Sequence, residues 1–562
     1  MDYSKICEVL SALGSTTKGL EKTAILADFL GKIKETPEVI YLVQGRVFAD
    51  FDHRESGISE QLAVRAIGKA AGIEDKRVVD EFKDLGDLGL VAEAVLGKKK
   101  QQMALFSKKL SVDKVMTNLR KLPTLEGKGT VDLKIGLVVE LLHSASPVEA
   151  KFIVRTILGD LKIGVGSGII RDAIVEVCFK PKNLEEKREA ALKVQEAYDK
   201  ATDFAEVFDK ALKGKLEKIS LSPGKPVKVM LYPKAKDIDD AFRIIGRPAA
   251  FEYKYDGFRV MINKDERGEV KVFTRRLEEV TNQFPEIVEF VNKNVKGKSF
   301  IIDAEAVGFD AKTKKYTEFQ AISQRIKRKY GIEQMRKALP IELAVFDIIY
   351  LDGQDLIEEP FKERRALLKK IVKEESFKIV LARQIVTDDT KEVEKFYEGA
   401  LMENQEGVMG KSLSAPYKPG ARIGYAVKLK PEDNDFDLVI TGAEWGTGKR
   451  AGWLTSFDVS CRGSEGELLE VGKVSTGLKE LKEEGLSFED MTEILKGLVL
   501  KEEGRGVKVR PEVVVTVQYQ NIQKSPTYSS GYALRFPRIT RLREDRGVSD
   551  IATLEEVEEA TK

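Results

Sequence analysis

The residue of this chain best placed by type and spacing for covalent chemistry is Lys254. It stands in the segment Phe251–Arg259, FEYKYDGFR, at the end of a short strand and two residues ahead of an Asp-Gly pair. Gly257 permits a tight turn there, which leaves Lys254 projecting into whatever pocket the strand borders. A lysine amine is a nucleophile only when uncharged, and its free pKa of about 10.4 requires surroundings that favour that state. Alone, the string reads as a solvated hairpin lysine, but further groups follow it in a fixed order.

TRRLEEVT offers Arg275 and Arg276 after a strand, and IIDAEAV places Glu305 inside an apolar strand, where an acid needs a partner. AVFDIIYLDG supplies Phe346 and Asp347, EGVMGK supplies Glu406 at the edge of a turn-strand unit, and YAVKLK alternates Lys428 and Lys430 on one strand face. LRFPRITRLRED carries Arg535, Arg538, Arg541 and Arg543. Acids on separate strands suit a hard, oxygen-liganded cation. Each group has a plainer reading: Phe346 as core, Glu406 as a solvated turn acid, the last arginines as a solvated basic strand.

The elements that must position these groups fall into three parts. Residues 1–222 read as helices. In GLEKTAILADFLGKI the residues Leu20, Ala24, Ile25, Phe29 and Leu30 can share one face. In SPVEAKFIVRTILGDL Ser146 caps, Pro147 takes the first helical position and Glu149 closes a capping box. LEEKREAALKVQEAYDKATDFAEVF continues as one charged helix. The turn-rich stretch Ser222–Pro226 marks a linker, after which residues 223–430 mix strands (VMINK, KVFT, SFIIDAEAVGF, IELAVFDIIYL) with helices (PEIVEFVNKNV, PFKERRALLKKIV), an α+β domain. Beyond the break at Pro431–Asp435, residues 431–562 predict a small β-barrel with one helical insert near LSFEDMTEILKGL.

Composition removes other chemistries. The 562 residues hold 94 Lys+Arg against 92 Asp+Glu, a net charge of +2, so a basic surface must be local. Three separated cysteines make no disulfide framework, and two histidines are too few for a zinc site or His-centred hydrolysis. The N-terminal residues carry no long apolar run, which predicts a soluble, cytoplasmic protein without a membrane anchor. Abundant Lys and Glu fit a heat-adapted source.

Taken together and in this order, the segments from FEYKYDGFR to LRFPRITRLRED resemble the six motifs of the covalent nucleotidyltransferases, which include ATP-dependent DNA ligases, RNA ligases and mRNA capping enzymes. The resemblance is closest to archaeal ATP-dependent DNA ligases and their eukaryotic replicative relatives, and it covers nearly the whole chain. It implies a helical DNA-binding domain, a nucleotidyltransferase domain and a C-terminal OB-fold. It implies that Lys254 takes AMP from ATP, that Glu252 meets the adenine edge and that Phe346 stacks on the ring. It places Arg259, Arg275 and Arg422 around the nucleotide, Glu305 in the same ATP site and Lys428 at the α-phosphate. Arg259, Lys428 and Lys430 would favour the uncharged amine and stabilise phosphoryl charge. Glu305 and Glu406 would hold Mg²⁺, and Arg535 and Arg538 would orient the departing pyrophosphate.

Two further segments belong to the helical part. The glycines of LKIGVGSGIIRDAI follow a helix rather than a strand, so they fail the dinucleotide-loop context. Backbone amides near a helix start, with Lys162 and Arg171, could instead hold DNA phosphates, or the segment is a helix connector. In KKKQQMALFSKK, Gln102, Leu105 and Phe106 resemble a shortened sliding-clamp motif with Ser107 in place of the second aromatic; the rival reading is a surface loop. The reading is a monomeric, chromosome-associated enzyme that seals nicks in duplex DNA in replication, repair and recombination. Its rivals are an RNA ligase or capping enzyme, and a non-catalytic nucleic-acid scaffold.

Overall fold

The computed structural model describes the chain other than residues 53, 101–108, 128, 318, 327, 329, 422–423, 432–433 and 562, and other than the side chains of Lys99, Lys100, Gln320 and Glu484. It divides into two compact units, Met1–Lys430 and Pro431–Lys562.

The first unit begins with helices, from Tyr3–Ser15 to Phe204–Leu212, around one apolar core that includes Leu10, Leu26, Ile67, Leu141, Ile153 and Phe208. The helix Pro147–Ile157 starts with the expected capping box, Ser146 accepting from Glu149 N and Glu149 accepting from Ser146 N. Two expectations are corrected. The helix Gly19–Lys32 buries Lys22, Leu26, Phe29 and Leu30, while Leu20 is 81% exposed. Lys22 turns inward because its ammonium caps the carbonyls of Ile163 and Gly164, partners that periodicity cannot reveal. The long charged helix ends at Ala201, where Thr202 adopts φ +48° and Asp203 caps a second helix by accepting from Ala205 N at 2.9 Å.

The stretch at Ser222–Pro226 is latched to the helices rather than loose. Thr202 Oγ1 donates to Pro226 O (3.0 Å), Lys228 N to Asp199 O (3.1 Å), and the Lys228 ammonium lies 3.2 Å from Asp199 Oδ1.

Among the described residues ten strands follow: β1 (Ala249–Lys254), β2 (Phe258–Lys264), β3 (Val270–Thr274), β4 (Phe300–Gly308), β5 (Ile341–Leu351), β6 (Gln354–Asp355), β7 (Ile379–Leu381), β8 (Gln384–Thr387), β9 (Gly407–Ser412) and β10 (Ala426–Leu429). They make a four-stranded antiparallel sheet, β10-β9-β1-β8, and a six-stranded sheet, β3-β2-β4-β5-β6, with β7 parallel to β5. β4 and β5 are apolar almost throughout because both faces are covered, one by the helices Pro285–Asn294 and Phe361–Ile371.

The second unit is strand-rich: β11 (Asn434–Trp445), β12 (Leu454–Arg462), β13 (Leu468–Val474), β14 (Val499–Glu503), β15 (Gly506–Val509), β16 (Val514–Tyr519), β17 (Asn521–Lys524), β18 (Tyr532–Arg535) and β19 (Arg538–Leu542). β13-β12-β11-β15-β14 with β16 and β19 form one antiparallel sheet, and β17-β18 a separate hairpin. Inward residues such as Ile440, Phe457, Val459, Val515 and Val517 fill its core against the helix Phe488–Lys496. No helix among the described residues is long and apolar enough to cross a membrane.

Candidate active site

Strand alternation builds the site. Successive side chains of β1 point to opposite faces, so Glu252 and Lys254 share one. Directly paired residues share that face too: Met409 and Gln384 opposite Glu252, Gly407 opposite Lys254, and Lys428 opposite Met409. On the other sheet Arg259 pairs with Glu305 across β2 and β4. A cleft of about 740 Å³ is lined from both sheets, with Glu252, Lys254, Arg259, Arg275, Glu305, Phe346, Glu406 and Lys428 all on its wall. Its lysines and arginines outnumber its acids six to four, which suits a polyanionic ligand.

Lys254 is half-buried, and its ammonium contacts Glu406 Oε2. The backbone reinforces the pair, since Glu406 N donates to Lys254 O at 2.9 Å. Two glycines make this approach possible. At Gly407, φ is +136° and a Cβ would fall 2.3 Å from Leu429 O. At Gly257 the reason differs from the turn angle expected: a Cβ there would sit 2.4 Å from Ala306 O, so the requirement is close passage over β4.

Arg259 is fixed by two bonds to Asp303 (Nε to Oδ1 2.9 Å, Nη2 to Oδ2 2.5 Å) and one from Nη1 to Met230 O (2.8 Å). Burial opposes its charge most strongly, but Asp303, Tyr232 and Tyr417 together outweigh that and hold its pKa above the ordinary value. Asp347 next to Phe346 holds a second buried arginine, Arg364, at 2.7 and 3.0 Å. These pairs lie side by side because Asp303 and Asp347 are register partners across β4 and β5.

Glu305 is the acid most perturbed. Burial pushes its carboxyl up to about 8; Lys254 and Arg259 oppose the shift, and Glu406 and Asp303 add to it. Among the described residues no group hydrogen-bonds to its carboxylate, and no cluster of three or more His, Cys, Asp or Glu could hold a metal. Two carboxylates on one cleft fit Mg²⁺, which keeps several waters and takes substrate phosphate oxygens rather than a full protein cage.

A stability prediction follows from Glu305. Its native pKa of about 8 lies above the ordinary 4.5, so the native state holds a proton that the unfolded chain releases, and stability falls as pH rises between those values. In chelator, Glu305→Gln therefore melts higher than the parent at pH 9, and the difference shrinks by pH 5. A difference independent of pH would remove the buried-acid explanation.

Of the other candidate residues, Lys430 directly follows β10 and passes close to Gly407, the partner of Lys254, where an added Cβ would meet Lys430 Cα at 3.1 Å. Arg535 ends β18 and Arg538 starts β19, both in the second unit. Lys162, at φ +55°, pairs with Asp87 (3.0 Å), and Arg171 with Asp172 (2.7 Å). The helix Ser167–Cys178 begins at Gly166 without a side-chain cap. Arg422 and the segment bearing Gln102, Leu105 and Phe106 lie outside the described residues.

Three residues on or behind the wall escaped sequence reasoning. Met409 and Lys411 follow Glu406 in EGVMGK, and the alternation Gly407–Met409–Lys411 could have put both on the cleft face. Arg365 sits in the charged run KERRALLKK, which reads as a solvated helix, yet it is 5% exposed.

Comparison with known proteins agrees along the chain. Residues 2–175 match the family model described as DNA ligase N terminus, residues 229–430 the ATP dependent DNA ligase domain, and residues 450–546 the ATP dependent DNA ligase C terminal region. The DNA ligase of Nanoarchaeum equitans is 46% identical over 568 residues, covering 100% of this chain and 98% of that one. The DNA ligase of Thermococcus fumicolans is 42% identical with the same coverage, 100% and 98%. A solved structure named Pmar-Lig_PreS3 shares the fold, with a TM-score of 0.56 at 17% identity over 96% of this chain and 99% of that one.

Proposed function

Because this chain belongs to the ATP-dependent DNA ligase family, we propose that it seals nicks in duplex DNA through AMP carried on Lys254. The observation that carries this reading is Lys254 on the wall of a cation-rich cleft beside Glu406, Glu305 and Phe346. The amine attacks the α-phosphorus of ATP: an N–P bond forms, the bond to the bridging oxygen breaks, pyrophosphate leaves and the amine loses its proton. AMP then moves to the 5′-phosphate at the nick, and the 3′-hydroxyl displaces it to close the strand.

In this reading Glu252 meets the adenine edge and Phe346 stacks on the ring. Arg259 and Arg275 flank the nucleotide and Lys428 faces the α-phosphate, where fixed positive charge stabilises the transition state. Glu305 and Glu406 would hold Mg²⁺, which would neutralise triphosphate charge. Residues 1–222 serve as the DNA-binding domain, with amides at the start of Ser167–Cys178 and the basic groups of Lys162 and Arg171 toward phosphates. Residues 223–430 form the nucleotidyltransferase domain. Residues 431–562 form an OB-fold bearing Arg535 and Arg538. A sliding clamp is the proposed partner of Gln102, Leu105 and Phe106.

The test is a sealing assay on a 5′-phosphorylated nick in DNA and on the same nick in RNA, with ATP and a Mg²⁺ titration. Sealing of DNA with weak or no sealing of RNA supports the reading, and Glu406→Gln should seal more slowly and need more Mg²⁺. Preference for RNA, or an unchanged metal titration in Glu406→Gln, would contradict it.

A further inference from the structure

Asp199 is an acid where the fold gives negative charge no advantage. It stands in the last turn of the helix Leu184–Ala201, whose carbonyl end repels an anion, and it is 5% exposed. Burial raises the pKa of its carboxyl, and Lys228 and Gln195 oppose the shift. Gln195 Nε2 donates to Oδ1 at 2.9 Å. The Lys228 ammonium lies 3.2 Å from the same oxygen and 4.1 Å from the Tyr198 ring centroid. Lys228 N also donates to Asp199 O at 3.1 Å. The carboxyl group packs on Gly420 as well. There φ is +69°, and a Cβ would fall 2.5 Å from Asp199 Cγ, so a larger residue does not fit against the acid.

Asp199 therefore grips two segments that follow the helical part, and the two meet again at Arg259. Gly420 N donates to Lys228 O at 3.3 Å and Leu231 N to Ala421 O at 2.9 Å, so the segments run paired. On the first, Met230 O accepts from Arg259 Nη1 at 2.8 Å. On the second, the Tyr417 hydroxyl accepts from Met230 N at 3.2 Å and from Arg259 Nη2 at 3.3 Å, and it donates to Asp303 Oδ2 at 2.9 Å. Tyr417 and Asp303 are both fully buried, which leaves this junction little slack. Met230, Leu231, Tyr232 and Arg259 then stand together on the wall of the cleft. Stability explains a buried acid at a helix C-terminus poorly, because an uncharged residue there avoids both costs. Its contacts explain it better.

We propose that Asp199 is a positioning residue for the nucleotide: it holds Met230 O and the Tyr417 hydroxyl where they orient Arg259, so the helical part of the chain shapes the ATP cleft without touching ATP. Without Asp199 the guanidinium keeps its charge and its pair with Asp303 but loses the aim that the two segments impose. The field at Lys254 then changes little, whereas the contact with the nucleotide weakens. The expected signature is poorer ATP binding at a nearly unaltered chemical step. This rests on the placement of Arg259 beside the nucleotide.

The test is single-turnover self-adenylation of the full chain against ATP concentration, which separates half-saturation from the limiting rate. Asp199→Ala should raise the half-saturating ATP concentration by about fivefold or more and leave the limiting rate within about twofold. Asp199→Asn keeps the oxygen that Gln195 and Lys228 share, and it should restore half-saturation to nearly the parent value. Arg259→Lys keeps a charge beside Asp303 but cannot span Met230 O and the Tyr417 hydroxyl, so it should raise half-saturation by itself. In that background Asp199→Ala should add nothing further, whereas two independent effects would multiply. Where Asp199→Ala does not fold, Lys228→Met removes a part-exposed partner of the same carboxylate and carries the same comparison. Unchanged half-saturation in folded Asp199→Ala or, in its place, Lys228→Met overturns the proposal. Multiplying effects, or a loss confined to the limiting rate, overturn it too. Half-saturation unchanged by Arg259→Lys would overturn the placement of Arg259 beside the nucleotide, and the proposal with it.

Discussion

Lys254→Ala should abolish transfer of AMP from ATP to the protein while the melting temperature stays close to that of the parent. The side chain stands on an accessible cleft wall rather than in the core, and among the described residues its ammonium pairs with the half-exposed carboxylate of Glu406. Losing that pair costs little stability, because exposed and half-exposed pairs are worth about 1 kcal/mol or less. Losing the nucleophile removes the first chemical step entirely. Lys254→Arg should fail as completely. It keeps the charge and the contact with Glu406, but a guanidinium stays protonated and attacks phosphorus poorly. The arginine variant thus separates the nucleophile from a merely charge-balancing lysine. Sealing of a nick whose 5′ end already carries AMP should survive in both variants to the extent that the cleft still binds it. A stable AMP adduct on either variant would place the nucleophile elsewhere.

Arg364→Ala should lower stability by about 3–5 kcal/mol, the usual cost of stranding a buried charge. Arg364 and Asp347 are each 1% exposed, and the guanidinium also donates to Ala415 O at 3.1 Å and to Glu359 O. Removing it leaves Asp347 without its ion pair in the centre of the sheet that carries Phe346. The double variant Asp347→Leu plus Arg364→Met should recover much of the loss, since a matched apolar pair incurs no desolvation cost for a buried charge. Urea midpoints for the parent, the single variant and the double variant measure this. A single variant as stable as the parent, or a double variant no better than the single, would mean that the pair is not what holds β5 to the helix Phe361–Ile371.

The site was legible in the sequence wherever chemistry follows from strand alternation. Glu305 in an apolar strand and Lys428 in YAVKLK reach the cleft because the period of two is a local property of the chain. The helix Pro147–Ile157 was legible for the same reason, its caps being three residues apart. What failed was whatever depends on a distant partner. Lys22 and Arg365 carry the composition of solvated residues, and only the carbonyls and carboxylates of remote segments explain why both are buried. Gly257 was read as a turn residue, whereas its role comes from the backbone of β4 passing over it. The one long charged helix broke at Thr202, which takes a left-handed conformation that a threonine does not advertise.

Incubating the purified chain with ATP and Mg²⁺ and measuring its intact mass, followed by mapping of the modified peptide, addresses the assignment of the cleft directly. One AMP per chain, on Lys254 and reversed by added pyrophosphate, is the outcome expected. An unchanged mass, or AMP carried by any residue other than Lys254, would contradict it.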